Sequence, residues 1–198
     1  MSSTAIDPLI DKIFLQSRSL HQFLDKPVSH ETLEAIYDLA KWAPTGFNAQ
    51  PARFLFLKSP EAKARLAPAL TSSNRDKTLA APVNVVIAWD SRFHDKLPEQ
   101  FPAYDARTLF ENNLPLIEPT GKINAALQAS FFFIAARSLG LDVGPMSGFS
   151  NEKVDAEFFG DSHWKSLLLV NLGYGDYTQV KPRGRGPRLA FSETARIL

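Results

Sequence analysis

The chain has 198 residues, 44% of them hydrophobic and 22% charged, with no cysteine. That mix excludes a disordered chain, and the missing cysteine excludes disulfides, thiolate metal sites, Fe–S clusters and a cysteine nucleophile. A net charge of +1 is too balanced to argue for a nucleic-acid binder, and this length predicts a single domain over 1–198.

Met1 to Asp7 has neither a basic region nor an apolar core, so no signal peptide is read there. Asp7-Pro8 is a cap followed by proline at the first helical position, with Ile6, Leu9, Ile10 and Ile13 at helical spacing. Ser29 can cap a second helix, with Leu33, Ile36, Tyr37 and Ala40 on one face and Pro44 as its stop. Arg53 to Lys58 reads as a strand buried on both faces, because Phe54-Leu55-Phe56-Leu57 has no polar alternation. Ser59-Pro60 starts a short helix reaching about Leu70, and Val83 to Trp89 is a second strand rich in β-branched residues.

Ser91 to Pro119 holds Pro98, Pro102, Pro115 and Pro119 and reads as a surface excursion, a lid or substrate loop, with one helical patch near Tyr104 to Phe110. Thr120 to Leu139 is the strongest helix, apolar nearly all round and ended by Gly140. Gln128, Ser130, Arg137 and Ser138 interrupt it, so it predicts a buried helix and a subunit interface rather than a membrane span. A soluble, cytoplasmic protein is the expectation. Leu141 to Val143 forms a short strand, Ser150 opens a helix to about Phe159, and Ser166 to Leu172 is the last strand. Beyond Asp176 the tail carries Lys181, Arg183, Arg185 and Arg188 with no acid between them. Helices and strands without strict βαβ alternation predict an α+β fold.

The familiar motifs are missing. Gly173-Tyr174-Gly175 fails as a dinucleotide fingerprint because Thr178 stands at the third glycine, and there is no P-loop or nucleophile elbow. The four histidines lack metal-ligand spacing, so no metal is expected. Four other segments stand out. Ser17-Arg18-Ser19-Leu20-His21-Gln22-Phe23 puts Arg, Ser and His into a turn, which suits a phosphate or a polar ring edge, or is simply a solvated helix end. Ala43 to Pro51 (APTGFNAQP) can offer backbone N–H groups and an amide to a flat ring, or is a helix-to-strand loop. Gly144-Pro145-Met146-Ser147-Gly148-Phe149 allows close backbone approach to a ligand, or is a turn that needs glycine. Lys181 to Arg188 is a basic arm for nucleic acid or a local phosphate clamp.

Together and in this order, the four segments resemble the nitroreductase family of flavin-dependent oxidoreductases. The family's Arg-x-Ser or Arg-Arg-Ser turn ending in an aromatic is matched by Arg18, Ser19, His21 and Phe23. Its A-P-[ST]-x-x-N-x-Q-P-x-x-F run is matched by Ala43, Pro44, Thr45, Asn48, Gln50, Pro51 and Phe54. Asn74 and Lys77 match an Asn-x-x-Lys pair, Pro145, Gly148 and Phe149 a P-x-x-G-F segment, and Gly173 to Asp176 a G-Y-G-D strand end before a basic stretch. The detailed wording is similar to the malonic semialdehyde reductases of pyrimidine breakdown, a branch also labelled NADH dehydrogenase/NAD(P)H nitroreductase. His21 departs from the pattern, standing where many members have Lys or Arg.

The resemblance implies a nitroreductase-like fold: a central, mostly antiparallel mixed sheet flanked by helices, a long buried central helix, and a homodimer with an interlocked C-terminal tail. It implies non-covalent FMN at the dimer interface and NAD(P)H as co-substrate. Arg18, Ser19 and His21 go to the phosphate and ring edge, Thr45 to the flavin, and Asn48 to the pocket from either subunit. Asn74 and Lys77 go to the pyrimidine edge. Pro145, Met146, Ser147 and Gly148 lie along the cofactor, the last two near N5, and Lys181 and Arg183, with Arg185 as alternative, clamp the phosphate. No side chain is catalytic beyond the flavin itself. Hydride passes in two half-reactions to a small aldehyde such as malonic semialdehyde (giving 3-hydroxypropanoate) or to a nitro compound or quinone. Water or His21 supplies the proton, and Arg92 and Arg107 are guesses for a carboxylate partner. A flavin-binding member without turnover and a nucleic-acid binder using the basic tail are the alternatives, with no nucleic-acid or membrane partner expected under the main reading.

Overall fold

The structure, a computed structural model, describes residues 6–179 and 185–198. Asp7 caps a helix over Pro8–Ile10 (α1), its carboxylate accepting from the Leu9 N–H at 2.8 Å, and the helix continues as a π-turn over Asp11–Gln16. Ser29 caps His30–Ala40 (α2). This helix ends at Ala40, before the expected stop at Pro44. Ala52–Leu57 is β1. Pro60–Leu66 (α3) follows the Ser59 cap, and Pro68 turns its last residues into a 3-10 turn rather than continuing the helix to Leu70. Ser72–Leu79 (α4) has no counterpart in the sequence reading. It is polar all round, and only Asn74 and Thr78 are buried, so it carries no apolar stripe to read. Val83–Asp90 is β2.

The 91–119 excursion is more regular than expected. A 3-10 turn over Phe93–Lys96 leads into Leu97–Gln100 (α5) and Ala106–Glu111 (α6). Phe93, Leu97, Ala106 and Phe110 close on one another and on Ala49 as a small core of their own. The long helix begins earlier than expected, Ile117–Ser138 (α7), and Gly140 ends it in the left-handed conformation (φ 87°). Asp142–Met146 is β3, longer than the expected 141–143. Ser150 caps Asn151–Phe158 (α8), Trp164–Gly173 is β4, and Phe191–Thr194 is a short α9 in the tail.

The strands form one sheet in the order β1-β2-β4-β3, and every pairing among the described residues is antiparallel. The expected parallel contribution is therefore absent from it. β2 is the strand buried on both faces; β1 lies at an edge, and its Arg53 to Phe56 are half-buried, against the expectation. The unbroken apolar run of β1 cannot distinguish an edge from a centre. Val83, Val85, Ile87, Val170 and Leu172 pack one face against α2 (Leu33, Ile36) and α7 (Phe132, Ala136). Val86, Ala88 and Leu169 pack the other against Leu66 of α3 and Val154 and Phe159 of the α8 region. α7 is buried on one side only: Ile123, Leu127, Phe131 and Ile134 stay between 36% and 64% exposed.

His94 sits inside the excursion's core, 6% exposed, with no partner for Nδ1 among the described residues and Nε2 3.8 Å from Asp95 Oδ1. Burial holds its imidazole below the ordinary value, against the pull of Asp95. The unfolded chain takes up this proton near pH ~6.5 and the folded chain only lower, so acidification favours unfolding. Stability is full above about pH 6.5 and falls below it until the folded form also titrates. Melting temperatures taken from about pH 7.5 to about pH 5.5 are expected to drop more steeply for the wild type than for His94→Phe, which cannot charge. Equal slopes would dismiss the role of His94.

Candidate functional site

Residues 17–22 run extended along the outer edge of β3. Leu20 pins them there: its N–H donates to the Val143 carbonyl at 3.2 Å, and its side chain is buried against Gly175. The neighbouring Phe23 bridges to Gly175. A Cβ at Gly144 would lie 2.2 Å from the Leu20 carbonyl oxygen, so glycine is what lets the segment approach β3. Leu20 therefore faces inward, while the flanking Ser19 and His21 stay exposed and Arg18 half-buried.

α4 lies over the sheet beside this segment, held by the two central strands. Asn171 of β4 donates to the Lys77 carbonyl at 3.1 Å, and Asn84 of β2 donates to the Thr78 carbonyl at 2.8 Å and to Asn171 Oδ1 at 3.0 Å. These two fully buried amides anchor the helix through polar bonds where it has no apolar stripe. At its start, the Gly148 carbonyl accepts from Thr71 Oγ1 and from Asn74 Nδ2, both at 2.9 Å. The Pro145–Gly148 run is thus tied to α4 directly after it leaves β3. Partial desolvation of this surface imidazole, and secondly the Lys77 charge, lower the His21 pKa.

Arg18, Ser19, His21, Asn74, Lys77, Pro145, Met146, Ser147 and Gly148 therefore gather around β3 and the adjoining α4. Among the described residues, Arg18, Ser19, Lys77 and Ser147 commit no side-chain donor to another protein group. By contrast, Arg92 is paired bidentately with Asp95 (2.8 and 3.1 Å) and Arg107 with Glu111 (2.7 Å), both within the excursion. Thr71, Asn84 and Asn171 were missed as supports of the site; Asn171 stood in the N-L-G-Y-G-D run, while Thr71 carried no signal of its own.

Thr45 and Asn48 are elsewhere. Their loop feeds β1, the opposite edge of the sheet, three strand spacings or roughly 14 Å away. Arg185 is engaged by the carbonyls of Phe14 (3.0 Å) and Ser17 (2.6 Å), which brings the tail to the first segment and places its guanidinium on backbone rather than free for a phosphate. Lys181 and Arg183 lie outside the described residues. No helix among the described residues is long and apolar enough to cross a membrane.

Comparison with known proteins identifies the family. The family model described as "Nitroreductase family" matches residues 15–174. A Rhodopseudomonas palustris protein provisionally named NADH dehydrogenase/NAD(P)H nitroreductase is 50% identical over 198 residues, the whole of both chains. One of the same name from Ralstonia nicotianae is 45% identical over 190 residues, 96% of each. Among solved structures, a nitroreductase family protein from Streptococcus pneumoniae superposes with a TM-score of 0.80 at 21% identity, over 95% of this chain and 98% of that one. A nitroreductase from Exiguobacterium sibiricum, solved in complex with FMN, superposes with a TM-score of 0.78 at 21% identity over all of both chains. With the family model spanning most of its length and relatives at half identity end to end, this chain belongs to the nitroreductase family.

Proposed function

We propose that the chain is an NAD(P)H-dependent flavin oxidoreductase that holds FMN without a covalent bond and passes hydride to a small acceptor in two half-reactions. The observation that carries this is the set of uncommitted donors, Arg18, Ser19 and Ser147 beside β3 and Lys77 on α4. Their chemistry fits the group: a dianionic phosphate wants cationic and hydroxyl donors, and the acceptor-rich edge of the ring system wants an ammonium beside it. FMN, when bound, supplies the hydride relay between nicotinamide and acceptor. The chain's part is to bind and tune. Arg18 and Ser19, with Lys181 or Arg183 from the tail, take the phosphate. Lys77, held by Asn171, stabilises the negative charge that reduction puts on the pyrimidine edge. Asn74 and Thr71 fix the Gly148 backbone beside it.

Thr45 and Asn48 complete such a site only if a second copy supplies them, since their own chain keeps them at the far edge. The apolar stripe Ile123, Leu127, Phe131 and Ile134 on α7 supports a homodimer, because contiguous exposed apolar surface of this kind marks an interface. The open outer edge of β1 is a further place for a partner's tail.

For the acceptor, the motif wording favours a small aldehyde such as malonic semialdehyde. Purified protein is expected to show flavin absorption bands that bleach when NADH or NADPH is added without oxygen. Reoxidation by malonic semialdehyde faster than by a nitroaromatic or a quinone supports the aldehyde; the reverse order assigns a broad nitro or quinone reductase. Protein that stays colourless with excess FMN would defeat the flavin reading altogether.

A further inference from the structure

The loop between α2 and β1 holds three side-chain-bearing residues in the left-handed region: Phe47 (φ 55°), Asn48 (φ 49°) and Gln50 (φ 42°). Asparagine visits this region readily; phenylalanine and glutamine do not. Such conformations persist only where the surroundings over-determine them. Here the surroundings come largely from the 93–111 excursion. The Phe47 ring meets Phe101 edge-on at 5.6 Å, Phe110 edge-on at 6.1 Å, and stacks on Tyr104 at 6.1 Å with 18° between planes. The Asn48 side chain is held at both ends: Nδ2 donates to the Gln100 carbonyl at 3.1 Å, and Oδ1 accepts from Gln50 Nε2 at 3.0 Å. Below them, the Gly46 N–H donates to Asn124 Oδ1 of α7 at 2.7 Å and the Gln50 N–H to Thr45 Oγ1 at 3.3 Å.

The half-buried Phe47 ring packs on the excursion's core, and the stack on Tyr104 is a contact beyond that core. Phe93, Leu97, Ala106 and Phe110 already close the excursion's core, while Tyr104 is 53% exposed and Asn48 is exposed. A half-exposed tyrosine stacked on a strained phenylalanine adds little buried area. What it adds is a fixed direction for the residue after that phenylalanine.

We propose that Phe47 is a positioning residue, gripped by Phe101, Tyr104 and Phe110 so that the left-handed loop presents Thr45 and Asn48 already ordered to the flavin. The excursion thereby acts as a clamp on the 45–50 loop. This rests on the flavin reading above for what the loop is ordered toward, and on the geometry alone for the ordering itself. Pre-ordering removes an entropic cost from binding, so loosening the clamp weakens the cofactor site without unfolding the chain.

Tyr104→Ala is the test, with Tyr104→Phe as the conservative variant that keeps the ring. Hydrogen exchange of the cofactor-free protein is expected to show the amides of residues 45–50 exchanging roughly three- to tenfold faster in Tyr104→Ala, with β2 and β4 unchanged. FMN fluorescence titration is expected to give a dissociation constant raised by a similar factor, roughly three- to tenfold, and Tyr104→Phe should match the wild type in both. Unchanged exchange in the loop overturns the proposal. So does an unchanged FMN constant in a loop that has loosened, or a Tyr104→Phe variant as impaired as Tyr104→Ala. Wild-type protein that takes up no FMN defeats the flavin reading, and the exchange measurement then decides the clamp by itself.

Discussion

Gly144→Ala is expected to weaken FMN binding roughly ten- to hundredfold while the sheet stays folded. The reason is where a Cβ at 144 would go: 2.2 Å from the backbone oxygen of Leu20, an atom that cannot rotate away. Either β3 bends or residues 17–22 leave its edge. β3 is anchored along its length to β4, whereas the 17–22 segment is held by scattered single contacts, the Leu20–Val143 bond, the Asp176 N–H on the Gln22 carbonyl, Arg185 on the Ser17 carbonyl and the Leu20 side chain, so the segment is what moves. Arg18, Ser19 and His21 move with it. Overpacking of this kind costs on the order of 1–3 kcal/mol, and if that energy falls on the binding-competent conformation, FMN affinity drops roughly ten- to hundredfold. Two other glycines calibrate the result. At Gly148 the obstacle is the Asn74 Nδ2, 2.4 Å away but at the end of a side chain that can turn, so Gly148→Ala should lose less. At Gly160 the nearest atom is 3.4 Å away, and Gly160→Ala should change little. A Gly144→Ala protein with wild-type FMN affinity would show that the first segment does not need β3 to make its contacts.

Much of this arrangement could be read from the chain before its structure, and the parts that could not share a physical cause. Caps at Asp7, Ser29, Ser59 and Ser150 announce themselves because a short polar side chain before an apolar period has one favourable use. β2 announces itself by β-branched residues, and Gly140 by ending an apolar helix. α4 does not, because its anchor is polar: Asn84 and Asn171 belong to other strands, and nothing in Ser72–Leu79 shows that two buried amides await it. The edge position of β1 is equally hidden, since an unbroken apolar run looks the same whether the next layer is its own chain or another. The left-handed loop is the third case. Glycine advertises a positive φ; Phe47 and Gln50 do not, and what holds them lies about fifty residues further on in Phe101 and Tyr104. The excursion's proline spacing suggested irregularity, yet the prolines at 98, 115 and 119 fall near helix starts, where proline is tolerated.

The same hidden information decides how the candidate site is assembled. Sequence order makes Thr45 and Asn48 neighbours of Arg18 and Ser19 in the motif series, but the sheet order puts them at opposite edges. If each site draws Lys77 from one subunit and Asn48 from the other, two inactive variants should rescue one another. Asn48→Ala and Lys77→Ala homodimers are each expected to lose most NAD(P)H-dependent flavin turnover. Mixed, dissociated in mild denaturant and reassociated, half of the dimers become mixed by random pairing. Each mixed dimer then holds one doubly altered site and one site with both side chains intact, so about a quarter of wild-type turnover should return. A site built within one chain has no such route: every site in the mixture still carries one alteration, and no activity returns. The interface that permits the exchange can be removed independently. Leu127→Glu with Ile134→Glu puts two charges into the apolar stripe of α7, where a dimer would bury them unpaired. The expected result is a folded monomer without flavin. A monomer that still binds FMN with wild-type affinity would mean that Thr45 and Asn48 serve some purpose at their own edge, and the shared site would be wrong.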